Sequence, residues 1–238
     1  MWKWIVGTLL SLSIVCIIAL YPDDALSPDA QRWLDYQWPQ TSQAYLFHLG
    51  FDVNQSHDPM TEGKKLLQTI KRAEQQYLET YTEFDYAQYP DDQRISIPEG
   101  DMFCQLTSDD CINTLFSSSS PELSEIIINN QVLLQRYKQL IQLTDYSTLT
   151  TPTVMEPFPK FRAYLQATRL RLLEHIMHAE QASPEEAIDH IVEEIHALRH
   201  QMSKADHLLS KMVSINQVAD YLQVLAIILN KYHLTLPT

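Results

Sequence analysis

Residues 4–21, WIVGTLLSLSIVCIIALY, are an apolar run without a charged side chain. As a helix the run would be ~27 Å long, close to the ~30 Å hydrocarbon core of a bilayer, so it predicts one membrane span. Beyond it the pattern changes to apolar residues three and four apart, the mark of amphipathic helices. Segment 59–84 carries Leu66, Leu67, Ile70, Ala73, Tyr77 and Tyr81 along one face, and 121–143 carries Leu123, Ile127, Leu134, Tyr137 and Ile141. Further helices are predicted over 159–181, 184–202 and 203–232. In the last, Leu208, Met212, Ile215, Ala219, Leu222, Ala226 and Leu229 alternate in steps of four and three, a heptad seam. Leu209, Val218, Leu225 and Ile228 widen it, so the stretch predicts a buried bundle helix, with self-association through residues 208–229 as the alternative.

Helix starts repeat one device. Ser27-Pro28, Asp58-Pro59, Ser120-Pro121 and Ser183-Pro184 each place a capping oxygen before a proline. The oxygen satisfies an orphan N–H, and proline in the first turn has none to lose. Glu186, three residues after Ser183, completes a capping box. Strand-like alternation is hard to find, which makes the fold class all-α: an N-terminal transmembrane helix followed by an irregular multi-helix bundle. The divisions predicted are an anchor over 1–22, a neck with short helices over 23–57 and a helical domain over 58–238. Prolines within 144–158 mark a seam between two halves of that domain.

Charge sets orientation and excludes partners. Lys3 precedes the apolar run, while Asp23, Asp24 and Asp29 follow it before Arg32, so the start is read as cytoplasmic and the rest as exported. A cleaved leader fits less well, because Ala19-Leu20-Tyr21 ends in a ring where cleavage needs a small residue. The net charge of -13 argues against nucleic acid, whose affinity comes from Lys and Arg on phosphates. Cys104 and Cys111, exported in this orientation, predict a small disulfide loop.

Three stretches could carry chemistry. In DHIVEEIHALRHQ, Asp189, Glu193, His196 and His200 share one helix face, where Glu193, His196 and His200 could hold a divalent metal. The opposite face, Ile188, Ile191, Ile195 and Leu198, is the core stripe, so a solvated face is the plainer reading; His175 and His178 are read the same way. The cluster Lys160, Arg162, Arg169 and Arg171 could meet an anionic partner or pair with acids around Glu79, Glu83 and Asp85. The stretch YLETYTEFDYAQYPDD, with Tyr77, Tyr81, Asp85 and Tyr86, could dock a basic partner, since tyrosines give contact area at low entropy cost. Phosphate loops and the GxSxG elbow are missing, and no cofactor is implied.

AYLFHLGFD and ADHLLSKMVSINQVADYL resemble stretches of membrane-anchored proteobacterial envelope proteins of uncharacterised activity. The resemblance implies location, not chemistry. Phe84-Asp85-Tyr86 is also similar to the core motif of lipase-specific foldases, but Tyr81 stands where that motif has arginine. The expectation is a non-enzymatic, single-pass inner-membrane protein with a periplasmic domain that binds another envelope protein, as a toxin-neutralising immunity protein or an assembly factor. Its rival is a periplasmic metal-binding protein or metal-dependent hydrolase.

Overall fold

A computed structural model describes residues 27–34, 39–80, 91–104, 111, 114–116, 120–150 and 160–236. The predicted anchor lies outside the described residues. Helix α1, Pro28–Leu34, starts as the cap pattern predicts, with Ala30 N donating to Ser27 Oγ at 3.1 Å. It belongs to an N-terminal unit, Met1–Trp38, separate from the body, Pro39–Thr238.

The body begins earlier than the sequence pattern indicates. Helix α2, Gln43–Leu49, was expected in the neck, yet Ala44, Tyr45, Phe47 and Leu49 are buried in the main core. The reason is its composition: a short helix with apolar side chains on most faces must be enclosed. Two carboxylate oxygens of Asp145 take the N–H groups of Gln43 and Ala44, at 2.6 and 3.0 Å, and Ser42 Oγ accepts from Tyr45 N and Ser147 N. The first part of the predicted seam is thus an inner strap, with Tyr146, Thr148, Leu149 and Thr150 buried.

Helix α3, Pro59–Thr80, crosses α2 at Gly50 and Gly63. A Cβ on Gly63 would lie 1.8 Å from Leu46 O, and one on Gly50 2.0 Å from Pro59 O, so only glycine permits this approach. Asp58 caps α3 through Thr61 N at 2.8 Å. The loop between the helices is held from inside by buried Arg136, which donates to the carbonyls of Phe51, Val53, Asn54 and His57. An isolated bridge pairs Val53 with Arg94.

The helix predicted over 121–143 is two: α4, Ser120–Asn129, and α5, Gln131–Gln142. The break falls at Asn130, whose backbone N–H and Nδ2 both donate to Ile126 O, at 3.2 and 2.9 Å. Then follow α6, Phe161–Gln181, α7, Pro184–Lys204, and α8, Leu208–Tyr232. Ser183 caps α7 by accepting from Glu186 N at 3.1 Å, while Glu186 Oε2 meets His178 Nε2. Helix α6 packs against α4, α5, α7 and α8, and buries Ala163, Ala167, Leu170, Leu173 and Ile176 among them. Cys104 and Cys111 are bridged as predicted, with Cα atoms 5.7 Å apart, and Cys111 is buried in the core.

Candidate functional site

Among the described residues, those nominated by sequence lie apart from one another. Tyr77 is half-buried near the end of α3, and Tyr81, Asp85 and Tyr86 lie outside the described residues. Exposed Arg162 pairs with Glu99, whereas Arg169 Nη1 donates to Phe103 O at 2.6 Å and so ties α6 to the segment leading into the disulfide. Glu193, His196 and His200 are exposed on α7, and His200 Nε2 lies 3.1 Å from Thr144 O. Among the described residues no three His, Cys, Asp or Glu side chains gather closely enough to share a metal ion.

The core instead encloses a polar network centred on Glu194, whose side chain is 8% exposed. Its Oε1 accepts from Arg171 Nε at 2.7 Å, and its Oε2 from His175 Nε2 at 3.1 Å and Tyr221 OH at 2.5 Å. Tyr221 directs its proton to Glu194 and therefore accepts from Tyr137 OH, 3.1 Å away. Arg171 also pairs with Glu174, which Lys138 Nζ reaches at 2.7 Å. Two cations thus balance two carboxylates across α5, α6 and α7, and α8 adds Tyr221. Burial pushes the Glu194 carboxyl up, but His175 and Arg171 outweigh it and hold it down at about 2. Burial lowers the His175 pKa, although its hydrogen bond to Glu194 and the carboxylate's charge oppose the shift.

The polar partners satisfy one another, which is the arrangement that fixes helix register; a reactive group needs an open coordination or hydrogen-bonding position.

A second buried group is His48, 4% exposed, on α2. Its ring sits among Tyr164, Phe161 and Tyr146, with centroids 4.7, 5.4 and 6.1 Å away. Desolvation lowers its pKa to about 3. Among the described residues neither His48 Nε2 nor Ser210 Oγ finds a partner, and both border a space the size of about one water.

The surface is more informative. A groove of about 480 Å³ runs between the Asn54-Gln55 loop, the Arg94 to Ser96 segment and the α4–α5 junction. Exposed amides of Gln55, Asn129 and Gln131 line it, with Ile128 68% and Val132 41% exposed. Among the described residues its one charged lining residue, Arg94, pairs with Asp52 at 2.6 Å.

The second apolar surface is α8. It is the one helix among the described residues long and apolar enough to cross a membrane. Its inward face is Ser210, Val213, Ser214, Gln217, Tyr221, Val224, Leu225 and Ile228, packed on α6 and α7. The seam picked out by the heptad pattern points outward: Leu208, Met212, Ile215 and Leu222 are 74, 51, 54 and 50% exposed.

No family model, curated protein or solved structure matches the chain.

Proposed function

We propose that this protein is a membrane-tethered binding protein of the bacterial envelope, acting by surface recognition from a rigid helical body. The observation that carries the reading is the groove at the α4–α5 junction. Uncharged amides beside two exposed aliphatic side chains suit an extended polypeptide segment, offering hydrogen bonds to its backbone and apolar contact to one or two of its side chains. The charge-balanced interior around Glu194 supports it, since a well-specified core holds such a surface in one shape. In the proposed arrangement residues 4–21 anchor the chain in the inner membrane, the body lies in the periplasm, and the partner is another envelope protein. Tethering would raise the effective concentration at the membrane. Both toxin neutralisation and assembly of an envelope machine use such recognition.

Affinity capture of the full-length chain from gently solubilised, crosslinked membranes of its own host tests this. The expected result is one stoichiometric envelope protein with the wild type and its loss, by tenfold or more, with Ile128→Glu/Val132→Glu. Equal recovery with both chains would contradict the groove.

A further inference from the structure

We infer that the outer face of α8 pairs antiparallel with α8 of a second copy of this chain. Three observations converge on that occupant. First, the exposed residues Leu208, Met212, Ile215, Ala219, Leu222 and Ala226 keep a strict alternation of four and three, the 3.5-residue period that matches another helix. A membrane surface would impose no such register.

Second, the size pattern is self-complementary. The positions one heptad apart are Met212, Ala219 and Ala226 on one row, and Leu208, Ile215, Leu222 and Leu229 on the other. Parallel pairing would stack Ala219 on Ala219 and Ala226 on Ala226, leaving voids between leucine layers. Antiparallel pairing about a twofold axis between residues 220 and 221 sets each large residue of the centre against a small one. Ile215 then faces Ala226 of the second copy and Ala219 faces Leu222, while Met212 meets the outer edge of Leu229, whose other side packs on the core. Beside this seam, exposed Asn216 falls opposite Gln223 of the second copy, an amide pair able to exchange hydrogen bonds.

Third, charge permits it. Two copies of a chain with net charge -13 repel each other across most surfaces. The seam and its Asn216 and Gln223 flank carry no acidic residue, and Asp220, the helix's one carboxylate, lies off the seam and within the field of Arg169. The pairing uses a surface distinct from the groove, so a paired body would present two grooves.

Cysteine crosslinking in host membranes tests the register, using full-length chains carrying Cys16→Ser with the Cys104–Cys111 bridge intact. Ile215→Cys and Ala226→Cys chains, co-expressed under two tags, should give a disulfide-linked heterodimer in good yield. Each alone should give at least tenfold less, because like positions then lie on the order of 16 Å apart along the axis. Adding Leu222→Glu should abolish the product. Efficient linkage of either single variant with itself would show parallel pairing and overturn the inference. So would the absence of any product while the thiols are shielded from aqueous reagents, the result expected if lipid or a different protein covers the face.

Discussion

Glu194 and His48 show how far single buried residues decide the behaviour of this body. Removing the Glu194 carboxylate leaves the Arg171 guanidinium buried with Glu174 as its remaining acid, and a broken buried pair costs about 3–5 kcal/mol. Glu194→Ala should lower unfolding stability by that amount in denaturant titration, while Glu193→Ala, one residue away and exposed, should stay within about 0.5 kcal/mol. Similar effects for the two would contradict the network. The His48 pKa is depressed in the fold, so the folded state binds fewer protons than the unfolded chain below about pH 6.5. Its contribution is complete above that pH and is lost as pH falls toward about 3. Between pH 7 and pH 5 the loss is about 2 kcal/mol. His175 adds to the slope in the same direction. His48→Phe should flatten the pH dependence of the unfolding free energy by that amount, and an unchanged slope would sink the assignment. The signal for Glu194 was present in the chain: Ala187, Ile191, Glu194, Leu198 and Gln201 step by four and three, which places the carboxylate on a buried stripe. Apolar residues alone do not reveal that stripe, because two of its five members are polar.

At the scale of elements, the sequence pattern located most helices and erred where a polar residue intervened or burial overrode polarity. One predicted helix is interrupted at Asn130, and Asp145 recruited α2 into the body by capping it from a distant segment, a contact that local periodicity cannot contain. Helix α8 shows the second kind of departure. It carries two stripes of the same period, and the fold buries the one containing Ser210, Ser214, Gln217 and Tyr221 because Tyr221 completes the Glu194 network. The more apolar stripe remains outside, the reverse of what hydropathy predicts for a bundle helix. The α2–α3 crossing belongs to this scale as well. Gly63→Ala would drive a methyl into the Leu46 carbonyl, and overpacking of this kind costs about 1–3 kcal/mol. Thermal unfolding should show the loss; a neutral result would mean that α2 is free to shift away from α3.

Over the whole molecule, the described body sets a charge-balanced network around Glu194 against two uncharged surfaces, in a chain that is otherwise strongly acidic. The all-α class and the disulfide were legible from helical spacing and the two nearby cysteines. The groove was not, because it is assembled from the Asn54 loop, the Arg94 segment and the Asn130 break, which are distant in sequence and individually unremarkable polar stretches. Nor were the partners of the basic cluster legible: Arg162, Arg169 and Arg171 are near neighbours in sequence, but Glu99, the Phe103 carbonyl and Glu194 come from elsewhere in the fold. The central claim is recognition of another envelope protein through the groove. Its most direct test is site-specific photo-crosslinking in living host cells, with the reactive residue placed at Val132 or, as a control outside the groove lining, at Glu193. Recognition through the groove predicts one discrete adduct with a different envelope protein from position 132 and none of that species from position 193. No adduct at 132, or the same adducts from both positions, would contradict it.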